Sequence, residues 1–175
     1  MRQNDSAVIC SCRFILLCWI WAQVNAWALF LHKSVIMRVS NEVMKIRQVN
    51  VLNTSVASTL MQLQRSCLPG DDPLEITNEG FWWLASHNNT DCGFALLLPS
   101  SRWIDTGYLA RAGVLSTFRG RGIQKKLIRA RINKARQMGW KWLITDTTDN
   151  PASANSLIAC GFKLYRPFQP WGFDH

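Results

Sequence analysis

Two glycines in the segment RGRGIQ (Arg119 to Gln124) stand where a helix is expected to begin. A helix N-terminus presents unpaired N–H groups and a partial positive charge, and glycine lets an anion approach the backbone closely. Eight of the 18 residues from Arg119 to Arg136 are Lys or Arg, and none is acidic. This pattern is typical either of a phosphate-binding turn or of a glycine turn in front of a solvated basic helix face, and the spacing alone does not separate the two.

The elements around this segment follow from hydrophobic periodicity and turn residues. The basic helix is expected to end at Gly139, and a later helix to begin with Asn150 as its N-cap and Pro151 at its first position. Strands are predicted at 44–51, 80–86, 92–99, 106–115, 140–146 and 162–167, and an early helix at 56–67. The order β-α-β-β-β-α-β-α-β predicts an α/β fold with one mixed sheet and helices on both faces.

The first forty residues are apolar and open to three interpretations. Residues 14–31 carry no charge and as a helix would span about 27 Å, close to the thickness of a bilayer. They are a membrane anchor, a signal peptide cleaved after Ala26, or sequence upstream of the working protein, with Met37 or Met44 as a later start. We favour the third interpretation, which divides the chain into an N-terminal segment, 1–43, and a domain, 44–175.

Composition limits the classes of function. The chain has 175 residues, 48% of them hydrophobic, which suits one packed domain, and its net charge of +9 indicates an anionic partner. Six cysteines without a C-x-x-C pair and three scattered histidines predict no metal site. The cysteines are interpreted as reduced thiols, which favours a cytoplasmic location, or a membrane-anchored one if residues 14–31 are a genuine anchor.

Two stretches resemble a known family. AGVLSTFRGRGIQKKLI (112–128) is similar to the acetyl-CoA-binding motif R/Q-x-x-G-x-G/A of the GNAT superfamily of N-acetyltransferases, with Arg119 in the first position and Gly122 in the fourth. Gln124 replaces the usual last Gly or Ala. DNPASANSLIACGF (149–162) resembles the family's second signature, and PFQPWGF (167–173) also looks like family sequence.

The resemblance implies a GNAT-like acyl-CoA N-acyltransferase fold with acetyl-CoA as co-substrate. Acetyl-CoA is then expected between the fourth and fifth strands of the family fold, where the strands splay apart. The N–H of Val114 is the expected donor to the thioester oxygen, and Asn150 is expected to bind the pantetheine arm. The residues implied in cofactor binding are Ala112, Gly113, Val114, Arg119, Gly120, Arg121, Gly122, Ile123, Gln124, Lys125, Asn150 and Asn155.

The sequence departs from the family pattern at the catalytic positions. Leu157 stands where many members carry a tyrosine as general acid, and Thr145 is at one of the places where a glutamate often serves as base. No acid or base is therefore assigned, and Tyr108 and Tyr165 are the nearest candidate phenols. The family's final strand also has no counterpart before His175, which predicts an exposed sheet edge or completion by a partner subunit.

The function predicted from these features is transfer of an acetyl group from acetyl-CoA to a primary amine, on a small molecule or a peptide, by direct attack. One alternative is a CoA-binding domain with little or no catalysis. Another is a basic nucleic-acid-binding module, which is disfavoured because Trp140 and Trp142 lie on a strand expected to be buried and so offer no stacking platform. A homodimer is possible, and membrane contact is expected only through residues 14–31.

Overall fold

The computed structural model describes residues 7–11, 43–73, 75–148 and 150–165 of the chain. The strands are β1 (Ala7–Ser11), β2 (Met44–Val49), β3 (Phe81–His87), β4 (Thr90–Pro99), β5 (Thr106–Val114), β6 (Trp142–Thr147) and β7 (Phe162–Tyr165). The helices of this part are α1 (Thr54–Cys67), α2 (Ile123–Gln137) and α3 (Pro151–Ile158), with a 3-10 turn at Ser116–Phe118. The strands form one mixed sheet in the order β2-β3-β4-β5-β6-β1-β7, which confirms the predicted α/β class.

Helices cover both faces of the sheet because its central strands are apolar on both sides. Along β3, Trp82 and Leu84 pack with α1, whereas Trp83 and Ala85 belong to the core on the α2 face. Trp82 and Trp83 are 1% and 4% exposed, so both are core residues. On β4, Phe94 packs on the α1 side of the sheet, in the same cluster as Trp82 and Leu84. The sheet is therefore held rigid between two apolar layers.

Strands β5 and β6 are parallel and pair over a short length. Their register is Thr106 with Trp142, Gly107 with Leu143 and Tyr108 with Ile144. Beyond this point β5 continues to Val114 and β6 to Thr147, but the two strands no longer pair with each other. A V-shaped gap therefore opens between the two strands.

A β-bulge interrupts the pairing of β4 with β5 just before this gap. Ala95 lies opposite Ala112 and Leu97 opposite Leu109, so that Ala110 and Arg111 together face the single residue Leu96. A bulge of this kind bends the strand and disrupts the hydrogen-bond ladder locally.

The N-terminal strand β1 lies between β6 and β7 and is antiparallel to both. Val8, for example, is opposite Asp146 on one side and Tyr165 on the other. No element of the sheet was expected in 1–43 from the sequence, and the division at residue 43 stays a prediction that truncation can test. The apolar run 14–31 and the family-like stretch 167–173 lie outside the described residues. None of the helices seen in the described ranges is both long enough and apolar enough to cross a membrane.

Candidate active site

A cavity of about 470 Å³ begins at the N-terminus of α2 and extends along the end of β5. It is lined by Cys67, Leu68, Ala112, Gly113, Val114, Phe118, Arg119, Gly120, Gly122, Ile123, Gln124, Lys125, Asn150, Ala152, Ser153 and Ser156. Ten of the twelve predicted cofactor-binding residues are among these. One cavity thus joins the glycine turn, the gap in the sheet, the start of α3 and the end of α1.

The glycine turn that precedes α2 is open. Gly120 and Gly122 have φ of +79° and +74°, and a Cβ added at either would meet no atom within 4 Å. Glycine is thus needed here for the backbone conformation, and no side chain fills the space above the turn. The first helical bond runs from Lys126 N–H to the Gly122 carbonyl, so the N–H groups of residues 123–125 have no helical acceptor. The first turn contains no acidic side chain, which leaves this end of the helix suited to an anion.

The end of β5 directs backbone N–H groups toward the gap. Leu115 N–H donates to the Cys92 carbonyl at 2.9 Å, so the backbone of Leu115 faces β4. Because N–H directions alternate along a strand, Val114 and Ala112 face away from β4, toward the gap. The carbonyl of Val114 accepts a hydrogen bond from Arg119 Nε at 3.1 Å. The Val114 N–H is therefore oriented as the predicted donor to a thioester oxygen would be.

Asn150 both begins α3 and lines the cavity. Its side-chain oxygen accepts from the Ser153 N–H at 3.0 Å, which makes it the N-cap. Within the described residues the amide nitrogen of Asn150 has no hydrogen-bond partner, so it is available to donate to a ligand. The cap and the predicted pantetheine contact are thus compatible.

Arg121 and Asn155 do not line the cavity. The Arg121 guanidinium lies 5.6 Å from the centre of the Phe118 ring and 3.4 Å from His87 Nε2, at the end of β3. Asn155 is exposed on α3. Of the three side chains expected to add positive charge near the phosphates, Arg119 and Lys125 line the cavity.

The end of α1 forms the other wall of the cavity, which the sequence analysis missed. A Cβ at Gly113 would lie 2.5 Å from Cys67 Cβ. The end of α1 therefore packs so closely against β5 that glycine is the residue that fits at this position. Burial raises the pKa of the Cys67 thiol to about 11, against a smaller lowering by Arg119. Cys67 is therefore a neutral thiol at physiological pH. Cys67 ends the helix predicted at 56–67, and nothing local in the sequence indicates that it lies beside the cavity.

Tyr108 and Asp146 meet at the vertex of the gap. The Tyr108 hydroxyl donates to Asp146 Oδ1 at 2.5 Å, and burial together with this bond raises the pKa of the phenol above its usual range. Tyr108 is thus held protonated and orients the carboxylate. Asp146 follows Thr145, a position considered for a base, but was not itself singled out; an acidic residue at the carboxyl end of a parallel strand was the available signal. Tyr165 is half-exposed on β7.

The sequence leads us to expect that the basic residues of α2 beyond Lys125 form a solvated face, but the side chains of Arg131 and Lys134 make contacts within the protein. Arg131 is 2% exposed and lies under the sheet, and Lys134 Nζ lies 4.4 Å from the centre of the Phe81 ring. Leu157, which occupies the family's tyrosine position, is 3% exposed and packs in the core. Leu157 therefore supplies no proton donor to the cavity.

A family model described as the acetyltransferase (GNAT) family matches residues 53–162, more than half of the chain. The chain belongs to the GNAT family. This GNAT enzyme is accordingly an acetyl-CoA-dependent N-acetyltransferase, with acetyl-CoA as its co-substrate. The open glycine turn and the unpaired N–H groups behind it fit the diphosphate of that molecule, and the gap-facing N–H of Val114 fits its thioester.

Solved structures of acetyltransferases share the fold. The aminoglycoside N-acetyltransferase AAC(6')-Iy in complex with CoA is 20% identical, with a TM-score of 0.64 over 81% of this chain and 100% of that one. AAC(6')-Ih from Acinetobacter baumannii is 17% identical, with a TM-score of 0.60 over 76% and 99% of the two chains. An IAA acetyltransferase from Bacillus cereus is 18% identical, with a TM-score of 0.56 over 71% and 79%. Among curated protein sequences, none matches the chain.

Proposed function

We propose that this GNAT enzyme transfers the acetyl group of acetyl-CoA to a primary amine by direct attack, without an acyl-enzyme intermediate. The observation that carries the proposal is the continuity of one cavity from the anion-binding N-terminus of α2 to the gap-facing N–H of Val114. A thioester bound along this path has its carbonyl oxygen beside a fixed backbone donor, which stabilises the charge of a tetrahedral intermediate.

The acceptor amine enters on the α1 side of the sheet. The loop between α1 and β3 carries four exposed acidic side chains and no basic one in its described residues: Asp71, Asp72, Glu75 and Glu79. Arg111 Nη1 and Gln64 Nε2 both donate to the Asp72 carbonyl, which fixes this loop beside the bulge of β5. In a chain of net charge +9, an acidic entrance favours a cationic acceptor.

Asp146 assists the attack. Its carboxylate, oriented by Tyr108, accepts an N–H of the incoming amine and passes the released proton to solvent, to which Asp146 is exposed. The C–N bond forms as the C–S bond breaks, and CoA leaves as the thiolate, which takes a proton from water. The structural neighbours named for aminoglycoside acetylation support a polycationic amine as the first class to test.

The test measures CoA binding by calorimetry and thiol release from acetyl-CoA with a panel of amines that includes aminoglycosides, polyamines and peptides. Gly122→Trp places a ring over the phosphate turn and is expected to abolish acetyl-CoA binding. Gly139→Trp is the matched control, since Gly139 also has a positive φ and open space but ends α2 away from the cavity. Binding without thiol release for any amine contradicts the transferase proposal and supports a CoA-binding domain without catalysis.

A further inference from the structure

Arg131 is a charged residue in a buried position, where charged side chains are rarely found. It lies on the face of α2 that packs on the sheet and is 2% exposed. Burial lowers the pKa of its guanidinium to about 9, which leaves it charged at neutral pH. No carboxylate within the described part of the chain forms an ion pair with it. A buried cation without a counter-ion is costly, and its surroundings should indicate what it does there.

The partners of Arg131 are backbone carbonyls, and two of them belong to the β-bulge. Its Nη1 lies 3.3 Å from the Leu96 carbonyl and 3.4 Å from the Ala110 carbonyl, and its Nε donates to the Leu127 carbonyl of its own helix at 3.3 Å. Leu96 is the residue of β4 that faces the bulge, and Ala110 is the first bulged residue of β5. One guanidinium group thus supplies donors to both strands where their ladder is interrupted.

The bulge decides which residues of β5 face the gap. Before it, the Leu109 carbonyl faces β6 and accepts a hydrogen bond from Thr145 Oγ1 at 2.8 Å. Strict alternation from Leu109 would direct Arg111 and Gly113 toward the gap. The extra residue shifts this alternation by one, so that Ala112 and Val114 face the gap instead. The orientation of the proposed thioester donor is a consequence of the bulge.

We infer that Arg131 is a positioning residue for acetyl transfer, because it holds the β5 bulge that turns the Val114 N–H toward the thioester. This inference rests on the proposed function. Arg131 acts from beneath the sheet, through the carbonyls of Leu96 and Ala110, and the phosphate contacts at the N-terminus of α2 do not depend on it. Its effect is therefore on the alignment of the reacting carbonyl rather than on the affinity for CoA.

The test compares Arg131→Met, Arg131→Lys and the matched control Arg129→Met, whose side chain is exposed on the same helix. An apolar side chain of similar length is tolerated where a buried charge stood, so Arg131→Met is expected to fold. Its kcat is expected to fall about a hundredfold, as about 1 Å of misalignment causes, with KM for acetyl-CoA changed less than about threefold. Arg131→Lys is expected to recover part of kcat, because its ammonium group still donates to a carbonyl, and Arg129→Met to match the wild type.

Hydrogen exchange of the backbone amides of residues 110–114 gives a second readout that needs no turnover. Faster exchange in Arg131→Met than in Arg129→Met supports the inference. Equal exchange, or an unchanged kcat in folded Arg131→Met, overturns it. If the wild-type enzyme transfers no acetyl group to any amine, the proposed function has failed, and the exchange comparison still decides whether Arg131 holds the bulge.

Discussion

Side chains from three different elements satisfy the carbonyls of β5 where β6 diverges from it. Thr145 of β6 donates to Leu109, Arg131 of α2 donates to Ala110, and Arg119 of the turn before α2 donates to Val114. Buried carbonyls without a partner are costly, so these bonds stabilise β5 where β6 no longer pairs with it. The N–H groups of the same segment are left to a ligand. Carbonyl capping by side chains is thus what keeps the gap both open and stable.

Asp146→Asn tests the proposed acceptor role at the vertex of the gap. The amide keeps the size of the side chain but cannot take a proton, so kcat/KM for the amine is expected to fall about a hundredfold, with acetyl-CoA binding unchanged. Steady-state kinetics with the best amine of the panel provides the measurement. Asp105→Asn is the control, since Asp105 is paired with Lys141 at the far end of β5. Equal activity of the two variants would remove Asp146 from the mechanism.

Tyr108→Phe tests whether Tyr108 orients the Asp146 carboxylate, separately from the proposed proton transfer by Asp146. It removes the hydrogen bond to Asp146 and leaves the carboxylate in place. We expect a loss of kcat/KM of about tenfold, smaller than that of Asp146→Asn, because a single orienting hydrogen bond contributes about 1–1.5 kcal/mol. A loss larger than that of Asp146→Asn, measured in the same assay, would make Tyr108 rather than Asp146 the group in contact with the amine.

The Cys67 thiol makes the free energy of unfolding depend on pH in the alkaline range. Its pKa rises from 9.0 to about 11 on folding, so between these values the unfolded chain releases a proton that the folded chain keeps. The free energy of unfolding therefore falls as pH rises from 9 to about 11. Urea unfolding of the wild type and Cys67→Ala over this range checks the sign: the fall is expected to be shallower in the variant. Parallel curves would show that the thiol does not ionise differently in the two states.

The glycine turn and the helix cap of the candidate site could be predicted from the sequence, whereas the contacts of Arg131 could not. Gly120 and Gly122 were identifiable because a positive φ before a helix requires a local residue type, and Asn150 because a cap is a local signal. Arg131 was expected on the solvated face of α2, since it belongs to a segment in which eight of 18 residues are Lys or Arg. Its partners are 21 and 35 residues away and become visible in three dimensions alone.

At the scale of elements, periodicity and turn residues predicted every strand and helix from residue 44 to residue 165. Boundaries moved by a few residues; α1, for example, begins at Thr54 because Asn53 caps it. The gap between β5 and β6 was expected from the family resemblance alone. Local patterns give no sign of it, because the residues at which the two strands part read as ordinary strand sequence.

Gly113→Ala tests the close approach of α1 to β5. The new methyl group would lie 2.5 Å from Cys67 Cβ and 2.8 Å from Phe94 Cε1, so the end of α1 must move, and we expect a loss of about 1–3 kcal/mol in the free energy of unfolding. Gly70→Ala is the control, because nothing lies within 4 Å of its added Cβ and its φ is ordinary. Chemical denaturation measures both.

A double-mutant cycle assigns this cost to the pair. Cys67→Gly removes the atom that Gly113→Ala would meet, so the double variant is expected to be more stable than the sum of the single effects predicts. Simple additivity would mean that the strain is relieved elsewhere, through Phe94 for example.

At the scale of the molecule, basic and acidic side chains lie at different positions around the candidate site. Arg119 and Lys125 lie at the start of α2, whereas the acidic loop of residues 68–80 lies at the α1 side. This division supports the proposed combination of an anionic co-substrate and a cationic acceptor. A cytoplasmic location and a homodimer remain predictions.

Truncation tests the predicted division at residue 43. A chain that lacks residues 1–11 loses β1, whereas one that lacks residues 1–6 keeps it, so the pair differs by this strand alone. Loss of β1 exposes the facing edges of β6 and β7, and we expect Tm to fall by about 5 °C or more, equivalent to about 2 kcal/mol for a chain of this size. Differential scanning calorimetry of the two chains makes the comparison. Equal Tm values would support a self-sufficient domain from residue 44.

The position of β1 between β6 and β7 also affects the rate of folding. Val8 lies opposite Tyr165, so β1 is synthesised long before its partner strand β7. Pairings between strands so distant along the chain slow folding, because the entropy cost of closing a large loop must be met before the strands make stabilising contacts. The pairing of β1 with β6 and β7 is therefore expected to form late in folding, after the pairings between strands that follow each other in the chain.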